Sequence, residues 1–220
     1  MYLIVGKPKT IHDLVRVNGK SIGELRMATP VAVIDDEIFP KRNYLQQHNF
    51  IIKELGDIND IKAVAEYQII LCDIKGVGVH FGSKFEGGHI IEQIRKFYPN
   101  KVIIAYTGER FDPTYNKFFQ IADSSIKKDA EDEEWENVLD KAIKIANDPV
   151  EQWKKIRSSL IYENISLINL VRLEELFVNS VRDKKDYISN NKILNIIDED
   201  IKVILLNLAS SFLYALISGR

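Results

Sequence analysis

The sequence predicts an α/β chain, a doubly wound sheet of five parallel strands followed by an all-α segment, and three observations carry that expectation. Short apolar runs rich in β-branched residues alternate five times with helical patterns between residues 31 and 149. The run Ile69-Ile70-Leu71-Cys72 is apolar without alternation, as a strand covered on both faces is. Beyond Pro149 the pattern is helical throughout.

Composition sets wide bounds. A chain of 220 residues, 45% hydrophobic and 28% charged, has ample length to bury a core. Its net charge of -2 makes no electrostatic case for nucleic acid or an anionic membrane as partner. The single cysteine, Cys72, excludes an intramolecular disulfide framework and any multi-cysteine metal site. The apolar run at residues 2–5 is too short for a signal peptide and is followed by no small-residue cleavage pattern, so the expected location is cytoplasmic.

Taken in order, residues 1–28 read as an N-terminal extension without an assigned role. Residues 2–5 suggest a short strand, Leu14-Val15-Arg16-Val17 before Asn18-Gly19 a hairpin, and Thr10 with Asp13 a helix start. The first strand of the sheet is Val31-Ala32-Val33-Ile34, ending in Asp35-Asp36-Glu37. Three adjacent acids repel one another, and two readings stand open: an acidic turn opening a helix, or a site for a hard cation. A short helix follows Pro40, then a strand at Phe50-Ile51-Ile52 and a helix over 57–67 with Ile61, Val64 and Ala65 on one face.

The third strand delivers Asp73 to its carboxyl end, where ligands of parallel sheets bind. The glycine-rich stretch from Gly76 to Gly88 lacks the spacing of a dinucleotide fingerprint. It reads as a loop before a helix marked by Ile90, Ile91, Ile94, Phe97 and Tyr98. Val102-Ile103-Ile104-Ala105-Tyr106 forms the fourth strand, ending in Thr107-Gly108. A helix with Tyr115, Phe118, Phe119 and Ala122 leads to a short strand at Ser125-Ile126, which ends in Lys127-Lys128. Trp135, Val138, Leu139, Ala142, Ile143 and Ala146 then trace one face of a helix laid on the sheet. His12, His48, His80 and His89 show no metal-ligand spacing.

Four strand ends thus carry Asp35-Asp36, Asp73, Thr107 and Lys127-Lys128 in that order, and here the sequence resembles the receiver domains of two-component response regulators, the CheY-like superfamily. Those domains place an acidic pair after the first strand, the phosphoacceptor aspartate after the third, Thr or Ser after the fourth and lysine after the fifth. Ala122-Asp123-Ser124-Ser125-Ile126-Lys127-Lys128 resembles the usual approach to that lysine, which favours Lys128 over Lys127. The resemblance implies a flavodoxin-like receiver domain over residues 29–149. It implies Asp73 as phosphoacceptor and Mg²⁺ held by Asp36 and Asp73, by Asp35 directly or through water, and by the backbone carbonyl of Lys75. It further implies Lys128 and Thr107 on the phosphoryl oxygens, and a sensor histidine kinase or phosphotransfer protein as donor. The protein is then a signalling switch and not an enzyme.

The chain departs from the family's pattern at several places. The separation from Asp36 to Asp73 is short, the loop after Asp73 is long, and Asp129 replaces the usual proline. Ser125 stands where receivers commonly have an aromatic switch residue, which puts the coupling of Thr107 to a ring in doubt. Lys75, two residues past the acceptor, either adds a cation near the phosphoryl group that would alter its lifetime or is a solvated loop lysine, the second reading being preferred. These departures motivate an alternative, a pseudo-receiver that binds protein partners without phosphorylation. A phosphohydrolase of the aspartyl-nucleophile type needs a second acid where Lys75 stands.

Residues 150–220 read as a helical output or dimerisation module. Helices are expected over 150–162, 164–182 and 198–218, with 183–191 as a linker. The last is apolar nearly all round, apart from Asn207, Ser210, Ser211, Tyr214 and Ser218. Its apolar stretch of fifteen residues, 203–217, is short of the roughly twenty that span a bilayer, so burial in a bundle or homodimer interface is expected. It carries no basic helix-turn-helix stripe, which argues against DNA as the output target.

Overall fold

The computed structural model describes residues 8–14, 20–108 and 113–218. The strand expected at 2–5 and most of the hairpin signal at 14–19 lie outside the described residues. The chain divides into two compact units, Lys20–Asn147 and Asp148–Arg220 with Met1–Gly19.

In the first unit, β1 (Val31–Ile34), β2 (Ile52–Glu54), β3 (Ile69–Asp73), β4 (Val102–Thr107) and β5 (Ser124–Lys127) form one sheet in the order β2-β1-β3-β4-β5. All four pairings are parallel. This is the flavodoxin-like order, in which the chain leaves β1 to one side and returns through β3 to the other, opening a crevice at the carboxyl ends of those two strands. Residue alternation sorts the two faces. Val31, Val33, Leu71 and Ile104 join the core with Trp135 and Leu139, whereas Ala32, Ile34, Ile70 and Ile103 join the core with Ile90 and Ile94.

Three connections differ from expectation. Residues 22–28, for which no element was expected, form a helix, α1 (Ile22–Ala28), opened by a capping box in which Ser21 and Glu24 satisfy each other's backbone N–H groups. The second strand starts later than Phe50. Phe50 is held in the turn that ends α2 (Arg42–Gln47), its N–H on the Leu45 carbonyl at 3.0 Å after Asn49 adopts φ 67°. Between β2 and β3 the expected helix over 57–67 is a single 3-10 turn, Ile61–Val64, capped by Asp60. Asp57 leaves the helical path to accept the Gly78 N–H, and Ile58 is buried in the core. The short α2 and this single turn explain why Asp36 and Asp73 stand close in sequence.

Helix α3 (Glu86–Phe97) begins earlier than the glycines suggested. Gly87 and Gly88 lie in its first turn because nothing larger fits: a Cβ on Gly87 would collide with the Asp73 carbonyl oxygen, and one on Gly88 with the Phe118 ring. Helix α4 (Asn116–Ile121) and helix α5 (Asp132–Asn147) complete the layers. At the opposite end of the sheet, Lys101 is fully buried. Its ammonium donates to the carbonyls of Ala65 at 2.8 Å and Tyr67 at 2.5 Å, and lies 4.8 Å from the Tyr98 ring. Burial pushes its pKa down to about 7.

The second unit is helical. Helix α6 (Pro149–Tyr162) opens with Asp148 as N-cap and proline in its first turn, and α7 (Leu167–Asp183) is capped by Ser166. Residues 183–191 run into a 3-10 turn, Lys192–Asn195. Helix α8 (Glu199–Leu208) continues through a π-helical turn, Ala209–Leu213, into α9 (Tyr214–Ser218). By length and composition the run Glu199–Ile217 is apolar enough to cross a membrane. Ile201, Leu205, Leu208, Phe212 and Leu213 of that run are nonetheless buried in a core with Trp153 and Phe177. The Trp153 and Phe177 rings stack at 5.0 Å, and Glu174 accepts both the Trp153 indole N–H and the backbone N–H of Ile11.

Three substitutions check this packing. Gly87→Ala should cost about 1–3 kcal/mol in denaturant unfolding, the usual penalty of overpacking. Gly23→Ala, where an added Cβ meets nothing within 4 Å, should stabilise by up to about 1 kcal/mol. Lys101→Met should cost about 1–3 kcal/mol by leaving the Ala65 and Tyr67 carbonyls unpaired. Its pH dependence has a definite sign. Between about 7 and the ordinary lysine value of 10.5 the unfolded chain holds the proton that the folded chain releases, so this lysine adds stability as pH rises through that window. Unfolding curves from pH 7 to 10 should show that rise in the parent and not in Lys101→Met.

Candidate functional site

The parallel register brings the polar strand ends together. Ile34 of β1 pairs with Cys72 of β3, so the next residues, Asp35 and Asp73, leave neighbouring strands at the same level. Both are buried. Lys128 follows β5, its N–H on the Thr107 carbonyl at 3.0 Å, and its stem passes Gly108, where an added Cβ would lie 3.5 Å from Lys128 Cδ. From there Nζ reaches Asp73 Oδ2 at 3.0 Å, Asp35 Oδ2 at 3.2 Å and Glu37 Oε2 at 3.4 Å. Lys127, by contrast, is exposed and lines a cleft with Lys75 and Thr107.

The loop after β3 is fixed around the acids. Asp73 Oδ1 accepts the Lys75 N–H at 3.2 Å, and Glu86 accepts the Gly76 N–H at 2.8 Å. Gly76, at φ 82°, lies so near the exposed Asp36 that a Cβ there would strike its carboxylate. Asp35 Oδ1 accepts the Glu37 N–H at 3.0 Å, and Asp35 Oδ2 accepts the Tyr106 hydroxyl at 2.7 Å. Asp35, Asp36 and Asp73 each offer a carboxylate oxygen within 4.8 Å of the others. Three hard oxygen donors with Lys128 as counter-ion leave an excess of negative charge, and that donor set fits a divalent cation such as Mg²⁺.

Burial raises the Asp73 carboxyl above its usual range, more than the hydrogen bonds from Lys128 and the Lys75 N–H lower it, and the charge of Asp35 adds to the rise. Burial alone would lower the Lys128 ammonium, but its hydrogen bond to Asp73 and the charges of Asp73 and Asp35 hold it above its ordinary value. Lys128 therefore stays charged. The Cys72 thiol is pushed well up by burial and by Asp73, and its Sγ lies 3.3 Å from the Asp73 carbonyl oxygen, which makes it a neutral packing group.

Thr107 ends β4 half-buried, on the wall of a cleft of about 710 Å³ that it shares with Tyr115, Phe119, Ser125, Ile126 and Lys127. Lys75 is half-buried rather than solvated, its ammonium 5.1 Å from the Tyr115 ring. Sequence reasoning missed Tyr106, which ended an apolar run, and Gly87, whose need for a bare Cα arises only when α3 rests on the Asp73 carbonyl. Glu37 was read with the acidic run but not as a contact of Lys128.

No family model and no curated protein sequence matches the chain. Among solved structures it is similar to a CheY-like response regulator receiver domain protein from Methanospirillum hungatei JF-1, with 17% identity, 54% of this chain and 95% of that one covered, and a TM-score of 0.45. It is similar to the signal receiver domain of an HD domain-containing protein from Pseudomonas fluorescens Pf-5, with 13% identity, coverages of 54% and 96%, and a TM-score of 0.44. A third is the response regulator TrrA from Thermotoga maritima in complex with Mg(2+)-BeF, with 20% identity, coverages of 52% and 98%, and a TM-score of 0.39. At these identities the likeness is one of fold, to receiver domains over about half of this chain.

Proposed function

We propose that this chain is a response-regulator receiver that takes a phosphoryl group on Asp73. The observation that carries the reading is the convergence of Asp35, Asp36 and Asp73 within 4.8 Å, with Lys128 Nζ 3.0 Å from Asp73, in the crevice at the sheet's carboxyl ends. Mg²⁺ would be held by Asp36 and Asp73, by the Lys75 backbone carbonyl and by Asp35 directly or through water, and when bound it supplies the charge neutralisation that lets an anionic carboxylate meet an anionic phosphoryl group.

The chain's own groups have distinct tasks. An Asp73 carboxylate oxygen forms the new bond to phosphorus while the bond from phosphorus to the donor breaks; for a sensor histidine kinase or phosphotransfer protein that is the bond to an imidazole nitrogen, which keeps the electron pair. Lys128 exchanges its hold on Asp73 for a phosphoryl oxygen, and the Thr107 hydroxyl donates to another. Glu86, which accepts the Gly76 N–H, anchors the loop that follows the acceptor. The signal then passes to a protein partner or a second copy through the helical unit rather than to DNA. Ile161, Tyr162, Leu167 and Ile168, exposed around the turn joining α6 to α7, support that part of the reading.

Incubation of the full chain with acetyl phosphate and Mg²⁺, followed by intact mass, should add one phosphoryl group. Asp73→Ala or EDTA should abolish the gain, and a gain that survives Asp73→Ala contradicts the reading. Independently, Mg²⁺ should raise the thermal midpoint of the parent by mass action, and Asp36→Asn should remove most of that rise.

A further inference from the structure

We infer that Tyr106 is a positioning residue for the cation site, acting through Asp35. The inference rests on the reading of the acidic cluster as a Mg²⁺ site and adds a residue that the reading does not contain. The Tyr106 hydroxyl donates to Asp35 Oδ2 at 2.7 Å from a ring that is fully buried. Phe39 at 5.8 Å and Trp135 at 5.6 Å pack against that ring in tilted and edge-on contacts, so the donor is held in place.

Asp35 is thereby held through both oxygens. Its Oδ1 takes the Glu37 N–H at 3.0 Å and Lys128 Nζ at 3.4 Å, and its Oδ2 takes the Tyr106 hydroxyl and Lys128 Nζ at 3.2 Å. These contacts engage both of its carboxylate oxygens. Asp36, one residue on, is exposed at the same cluster. Tyr106 therefore holds the orientation in which Asp35 faces the cation site, directly or through a water, while Asp36 and Asp73 supply the other carboxylates. A phenylalanine would fill the same space and pack on the same rings, so the hydroxyl, and not the ring, carries this role. Hydrogen-bond partners of this kind commonly change metal affinity by 10- to 100-fold when removed.

The test is calorimetric titration of the full chain with Mg²⁺ in the parent, Tyr106→Phe, Asp35→Ala and the double variant, with melting in EDTA to register folding. The inference expects Tyr106→Phe to weaken Mg²⁺ binding by about tenfold, and to have no further effect once Asp35 is alanine. A Tyr106→Phe variant that melts lower in EDTA but binds Mg²⁺ like the parent overturns it, because the hydroxyl is then structural only. A loss that persists undiminished in the Asp35→Ala background overturns it too, since Tyr106 would not act through Asp35. If the parent itself binds no Mg²⁺, the cation reading fails and takes this inference with it, a result distinct from either of the others.

Discussion

Everything at the crevice depends on one lysine having to serve several acids. Lys128 lies within 3.0–3.4 Å of Asp73, Asp35 and Glu37. Two of those carboxylates are buried, where like charges repel strongly and water screens little. A single ammonium does not balance the cluster. The arrangement keeps an unmet demand for positive charge at the point where strand geometry also leaves room for a ligand, which is what a cation-dependent acceptor of an anionic group requires.

The sheet order creates that demand. Because β1 and β3 are neighbours, their terminal acids come out side by side, and because β4 separates β3 from β5, the counter-charge arrives from two strands away on a long, flexible stem. β4 contributes the residue between them: Tyr106, in register with Asp73, bonds across to Asp35 instead. Beneath the cluster lie the rings of Phe39, Tyr106 and Trp135, whose tilted and edge-on packing gives the acids a stiff apolar floor. The backbone is shaped to match, with Gly87 bringing α3 against the Asp73 carbonyl and Gly76 turning the next loop beside Asp36.

Much of this was legible in the chain. Each strand is an apolar run closed by polar residues, so Asp35, Asp73, Thr107 and Lys128 could be read as strand ends, and their order matched a known arrangement. The region between β2 and β3 was read less well, because the apolar spacing of Ile61, Val64 and Ala65 suits a helix but is satisfied here by one 3-10 turn and by the burial of Ile58. For α1 the signal was present: Ser21 and Glu24 stand at capping-box spacing. Tyr106 was hidden for another reason. Its hydroxyl has meaning only after parallel pairing sets it beside Asp73 and within reach of Asp35 across β3, and no periodicity along a single strand encodes a partner 71 positions away.

The central claim is that the phosphoryl group rests on one carboxylate of the three. Borohydride reduction of the chain after exposure to acetyl phosphate and Mg²⁺ converts an aspartyl phosphate to homoserine, and peptide mass spectrometry then locates it. The account predicts homoserine at position 73, with Asp35 and Asp36 intact. Homoserine at position 35 or 36, or none at any of the three, would contradict it.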